Sequence, residues 1–221
     1  PNPKVGLIVV IPSYNEPNLE PSIESLLNCK RPDCDVEVIV VLNYPENSSQ
    51  EVIKNAVECG ELVKKIDSEI DDQDLRIFAI EAFKLPKKQA GVGLARKIGM
   101  DEAAWRLQKS SCKYQIIACF DADATCSDNY LVELEQLWIR NPETEACSIR
   151  YEHPVEGPDF DDIIYHGIAQ YELHLRYYIQ AGKYVGHPHS FHTIGSSMAC
   201  SAEAYLRYGG MNRNKAGEDF Y

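Results

Sequence analysis

Runs of consecutive apolar residues alternate along this chain with stretches that place apolar residues every third or fourth position. Residues 5–11 (VGLIVVI) are uninterrupted and end at Pro12. Their length and β-branched content predict a strand covered on both faces rather than a helix. Residues 36–42 (VEVIVVL) repeat the pattern, 75–79 predict a third strand, and 114–120 (YQIIACF) a fourth. Between them lie helical stretches. Pro21 opens a short helix running to Leu27. Residues 49–66 put Val52, Ile53, Ala56, Val57, Leu62 and Val63 on an apolar side, and 94–107 form the next helix after a basic, glycine-bearing loop at 84–93. Regular strand–helix alternation implies right-handed crossovers, hence an α/β fold with a mostly parallel sheet and helices on both faces.

The pattern changes after an amphipathic helix at 128–140. A strand is expected at 148–155, a long tyrosine-rich helix at 160–180, a loop GHPHSFHTIGSS at 186–197, and a short helix at 202–208. Trp138, Tyr171, Tyr177 and Tyr178 stand at helical spacings and are expected in the core. No linker or repeat divides the chain. One continuous domain with two halves is expected, 1–125 and 126–221. The first residue is not Met and the last interrupts a charged-aromatic run, so a piece of a longer protein is expected.

Composition narrows the partners. The 221 residues carry 22 Lys and Arg against 34 Asp and Glu, a net charge of −12. Such a chain binds polyanions poorly, so neither nucleic acid nor an anionic membrane is an expected general partner. The eight cysteines form no CxxC pair and sit mostly in apolar stretches. Buried reduced thiols in a cytoplasmic setting are expected, rather than a zinc site or a disulfide framework. No apolar run is long enough to cross a membrane and no signal-peptide pattern stands at the N-terminus. Peripheral attachment to a membrane's inner face by a longer protein remains compatible with this.

In open parallel sheets ligands bind beyond the carboxyl ends of the strands. Three polar segments stand there: Pro12-Ser13-Tyr14-Asn15-Glu16, Asn43-Tyr44-Pro45-Glu46 and Asp121-Ala122-Asp123. In extended backbone Asp121 and Asp123 share a side, and two close carboxylates repel unless a cation reconciles them. Hard oxygen ligands suit Mg2+ or Mn2+. The same residues also read as an acidic turn, with Asp123 or Asp128 capping the next helix.

Four segments in order, VVIPSYNEP at 9–17, GVGLARKIGMDEA at 91–103, ACFDADAT at 118–125 and GGM with AGEDFY at 209–221, resemble the family 2 glycosyltransferases of the GT-A fold. The resemblance spans essentially the whole chain. It implies a metal-dependent, inverting transfer from a nucleotide-diphosphate sugar, a UDP-sugar above all, to a hydroxyl of a carbohydrate, lipid-linked or small-polyol acceptor. On matching positions it implies that Pro12, Tyr14, Asn15 and Glu16 cradle the nucleotide base. Asn43 stands where the family has an acidic pair that reads the base. Arg96 is expected to hold nucleotide or Asp121 oxygens, with Lys97, in place of the family's asparagine, a solvated helix residue. Asp121 is placed toward the ribose and Asp123 on Mn2+ or Mg2+. Asp219 is the implied catalytic base, with Glu218 beside it, and Gly195, Ser196 and Ser197 are implied to line the acceptor pocket. His187, His189 and His192 read as loop histidines or sugar hydrogen-bonders.

Two other functions fit an α/β chain with these motifs. A sugar-phosphate nucleotidyltransferase would want a glycine-rich basic loop after the first strand, which Ser13-Tyr14-Asn15-Glu16 does not supply. A non-catalytic nucleotide-sugar-binding module would not need both Asp121/Asp123 and Glu218/Asp219.

Overall fold

A computed structural model describes residues 2–192 and 194–212. Its elements run β1 (Val5–Ser13), α1 (Glu20–Leu27), β2 (Asp35–Pro45), α2 (Gln50–Glu69), β3 (Leu75–Leu85), α3 (Val92–Leu107), β4 (Ile116–Cys119), α4 (Tyr130–Arg140), β5 (Ala146–Ser148), α5 (Asp162–Tyr184), β6 (Met198–Ser201) and α6 (Ala202–Arg207). They build one six-stranded sheet in the order β3-β2-β1-β4-β6-β5. The first four strands are mutually parallel, and β6 and β5 extend the sheet antiparallel to β4 and to each other respectively in turn along the edge.

Every residue of β1 is buried, because helices cover both faces of the sheet. The pleat divides its side chains. Leu7, Val9 and Ile11 pack with α1, α2 and α4 residues such as Ile23, Val63 and Trp138. Ile8 and Val10 pack with Ala95, Met100 and Leu107 of α3 and Tyr205 of α6. The tightest approach is at Gly99 of α3. A Cβ there would lie 2.4 Å from Val10 Cγ1 and 2.8 Å from Val41 Cγ2, both on stiff β-branched side chains. Gly99→Ala is therefore expected to destabilise the protein by about 2 kcal/mol, although alanine is the better helix former by about 1 kcal/mol. Thermal unfolding should show a Tm lower by about 4–8 °C.

Several expectations need correcting. The third strand is not confined to 75–79 but continues to Leu85. It is an edge strand, so Arg76, Glu81 and Lys84 reach solvent and break the apolar run. A register shift between Asn43 and Pro45 leaves an extra residue on β3, with Lys84 in the left-handed region at φ 57°. The strand expected at 148–155 is only Ala146–Ser148, limited by its short antiparallel partner. Trp138 is buried, but Tyr171, Tyr177 and Tyr178 are exposed on α5, whose buried residues are Tyr165 and Glu172 alone. Val57 is likewise exposed on α2. Among the described residues no helix is long and apolar enough to cross a membrane.

Candidate active site

Because β1, β2 and β4 are parallel, their carboxyl ends share one edge, and β1 is the point where strand order reverses. A cavity of about 310 Å3 opens there, lined by Pro12, Tyr14, Asn43 and Pro45, with Ala90, Gly91 and Val92 at the start of α3. Asn43 is buried, and its amide N–H2 donates to the Ser13 carbonyl at 2.8 Å. That bond joins the ends of β1 and β2 and leaves the side chain's carbonyl oxygen, an acceptor, as its other polar group. Tyr44 turns away and stacks on Phe83, ring centroids 4.7 Å apart. Gly91, at the N-cap of α3, has no side chain with which to cap the helix's first-turn N–H groups.

Asn15 and Glu16 are not among the residues lining this cavity. They shape the turn instead. Asn15 takes the left-handed conformation at φ 48°, which asparagine tolerates. A Glu16 carboxylate oxygen accepts from Asn18 N at 3.1 Å, and its carbonyl accepts from Asn55 Nδ2 at 2.9 Å.

Arg96, on the second turn of α3, is buried, and its Nη2 donates to Asp121 Oδ1 at 2.9 Å. Burial pushes the Asp121 carboxyl up, the Arg96 charge opposes this, and the Asp123 charge pushes it further up. Hydrogen bonds from Ser196 and Arg96 favour the ionised form but leave the net direction upward. The backbone here is not extended, as the sequence pattern suggested, but a turn closed by Ala124 N donating to the Asp121 carbonyl at 3.2 Å; both carboxylates nevertheless line one cleft. The Asp121 carbonyl accepts from Ser22 Oγ at 3.2 Å, tying the strand end to α1. Gly195 is buried against the guanidinium, where a Cβ would lie 2.2 Å from Arg96 Nη1.

Beyond β4 a cleft of about 1340 Å3 contains Asp121, Asp123, Ser196 and Ser197 in its walls, with Tyr151 and His153 on another side. The structure thus gathers both aspartates and both serines at one cleft. It sets Gly195 behind them as the contact that lets the backbone pass Arg96. Asp219 and Glu218 lie outside the described residues. Lys97 is not a solvated helix residue: its side chain is 17% exposed and its Nζ meets Asp101 at 3.1 Å. His192 packs edge-on to Tyr151, while His187 and His189 lie exposed in their loop. Among the described residues no three His, Cys, Asp or Glu side chains form a metal-holding group.

Pro45 in the first cavity stands in a segment expected at this edge, whereas Ala90 and Val92 carry no polar signal and were not legible as lining. The same holds for His153, whose Nδ1 lies 2.6 Å from Glu172 Oε1. Burial pushes Glu172 up, but its hydrogen bonds with His153 and the charges of His153 and Arg176 outweigh this and lower its pKa. A lone buried carboxylate on an otherwise exposed helix has no periodic signature.

The sequence profile of glycosyl transferase family 2 matches residues 8–209. The chain belongs to this family. Solved structures of similar fold include Staphylococcus aureus (S. aureus) TarS residues 1–349, at TM-score 0.54 and 14% identity, covering 97% of this chain and 53% of that one. The same TarS region in complex with UDP matches at TM-score 0.55 and 14% identity, with the same coverage of 97% and 53%. TarS itself matches at TM-score 0.54 and 14% identity, over 97% of this chain and 32% of that one. The chain thus spans about half the length of the TarS 1–349 structures. The curated proteins give no sequence match. At this identity the likeness to TarS is one of fold, and it agrees with the GT-A architecture of family 2: a mostly parallel sheet flanked by helices.

Proposed function

We propose that this family 2 domain performs a cation-dependent, inverting glycosyl transfer from a UDP-sugar to a hydroxyl acceptor. The observation that carries the reading is the single sheet edge on which the Tyr14–Asn43 cavity, the Arg96–Asp121 pair and the larger cleft stand side by side. The base would enter the smaller cavity. With its N–H2 engaged by Ser13, Asn43 offers an acceptor, which complements the N3–H donor of uracil and not the N3 lone pair of cytosine. Tyr14, 54% exposed at the rim, supplies a ring for the base to lie against. The TarS structure of similar fold holds UDP, which supports the choice of nucleotide.

The donor set at the strand end fits a hard cation. Asp121 spends one oxygen on Arg96 and is pushed up in part by Asp123, while Asp123 is exposed to the cleft, so Asp123 is the direct ligand in this reading. Water and diphosphate oxygens would complete the coordination, as is usual for Mg2+ and Mn2+. When bound, the cation supplies Lewis-acid stabilisation of charge on the leaving diphosphate. Asp219 takes the proton of the acceptor hydroxyl as its oxygen bonds to the anomeric carbon and the bond from that carbon to the diphosphate breaks. Ser196, Ser197 and Glu218 border the acceptor, a carbohydrate, a lipid-linked sugar or a small polyol. Eight free thiols suit work in a reducing, cytoplasmic setting.

Calorimetric titration with UDP tests the reading. Affinity should rise about tenfold or more on adding Mn2+. Protons compete with the cation for Asp121 and Asp123. Because burial and the Asp123 charge raise the Asp121 carboxyl from its ordinary value, the Mn2+ effect should shrink as pH falls. Absent or metal-independent UDP binding would sink the proposal.

A further inference from the structure

The cysteines are expected to be mostly buried reduced thiols, and two of them face one another. Cys29, just past the end of α1, and Cys126, in the segment joining β4 to α4, bring their sulfurs within 3.6 Å across 97 positions of sequence. Both are anchored. Cys29 Sγ also lies 3.3 Å from the Ser25 carbonyl and 3.4 Å from the Ser127 carbonyl. The Cys126 backbone N–H donates to Ser25 Oγ at 3.2 Å. On either side, Ser22 Oγ donates to the Asp121 carbonyl at 3.2 Å and Lys30 N to the Asp128 carbonyl at 2.7 Å. Segment 121–128, which carries Asp121 and Asp123, is thus held to α1 and the residues just past it by hydrogen bonds and the Lys30–Asp128 ion pair at 2.9 Å, with no covalent link and a pair of facing thiols at its centre.

We propose that Cys29 and Cys126 are an oxidative modification site, at which a small two-electron oxidant of the peroxide class joins the pair as a disulfide that fastens the Asp121-bearing segment to α1. The sulfurs need to close from 3.6 Å to about 2.05 Å. Cys126 lines the large cleft and the buried Cys29 sulfur stands 3.6 Å from it, so the route for a molecule the size of hydrogen peroxide runs past Cys126. The hydrogen bond with Cys126 lowers the Cys29 pKa, which favours the thiolate, while Cys126 is pushed up as the partner that keeps its proton. The other deeply set thiols, Cys34, Cys119 and Cys200, are held up by burial and stay protonated.

The chemistry balances in two steps. The Cys29 thiolate attacks one peroxide oxygen, the O–O bond breaks, and Cys29 sulfenic acid forms with release of hydroxide, which becomes water by taking up a proton. The Cys126 sulfur then attacks the Cys29 sulfur, the S–O bond breaks, and the leaving oxygen departs as water with the Cys126 proton. Two thiols lose two electrons in total, and one peroxide becomes two waters.

This inference stands apart from the proposed transfer reaction and is tested without donor or acceptor. The whole chain is treated with a small excess of hydrogen peroxide, quenched with N-ethylmaleimide and mapped by mass spectrometry. A product about 2 Da lighter, with one Cys29–Cys126 linked peptide that dithiothreitol reverses, is expected. Cys126→Ser should stop at Cys29 sulfenic acid, trapped by dimedone. Hydrogen exchange of amides in 122–128 should slow about fivefold in the oxidised chain. Both thiols remaining alkylatable while other cysteines oxidise, or linkage to another partner such as Cys34 to Cys112, would overturn the site. Unchanged exchange with the bond in place would overturn its role as a fastening.

Discussion

Replacing Arg96 by methionine is expected to lower stability by about 2–3 kcal/mol and to weaken UDP binding about tenfold or more. The Arg96 side chain is 3% exposed and pairs with Asp121, whose side chain is 37% exposed. Breaking a fully buried pair costs about 3–5 kcal/mol, and the solvent on the Asp121 side brings the expected loss below that range. Methionine keeps most of the volume, so the loss reports the charge. Without Arg96, Asp121 keeps the burial and the Asp123 repulsion that push its carboxyl up, and gives up the opposing charge. Its proton is then held to higher pH, against any cation at the same site. Gly195→Ala should produce a similar loss with the arginine still present, because its Cβ would lie 2.2 Å from Arg96 Nη1. Thermal melts and UDP calorimetry on both variants check this. Full stability in Gly195→Ala would show that the guanidinium moves aside freely and is not the keystone of the strand end.

The second large effect falls on Asp219. Asp219→Asn should leave UDP affinity unchanged and lower turnover about 1000-fold, within the range general bases contribute. The asparagine keeps the size and a hydrogen-bonding group but cannot accept the acceptor's proton. UDP release from a UDP-sugar, followed with a panel of hydroxyl acceptors, separates the two properties. Retained turnover would place the base elsewhere.

The elements that could be read from the sequence are those whose environment imposes a simple pattern. β1 and β2 are covered on both faces, so nearly every position had to be apolar, and 5–11 and 36–42 announced themselves. The edges of the sheet were harder. β3 mixes exposed and buried residues as far as Leu85, and its last two residues, Lys84 and Leu85, read as part of the basic loop. α5 has aromatic residues at helical spacing, which suggested a core face, yet the buried group holding it near the cleft is Glu172, bonded to His153. Periodicity reports how much apolar surface a helix carries, not whether anything covers it.

The same division runs through the site. The strand ends were legible because in a parallel sheet the residue after a buried run must emerge at the ligand-bearing edge, which gave Tyr14, Asn43 and Asp121. Arg96 was legible only through the family resemblance, and Asn15 and Glu16 stand in the right turn without lining the cavity. Local pattern and motif order carry the buried strands, the polar residues that end them, and the family to which the chain belongs. Sheet order, which no local pattern carries, returns β6 antiparallel beside β4 and so brings Gly195 and Ser196 onto Arg96 and Asp121. It also decided that Cys29 faces Cys126. Side-chain direction repeats every two or 3.6 residues and is written locally, whereas contacts across about 100 residues depend on sheet order and register.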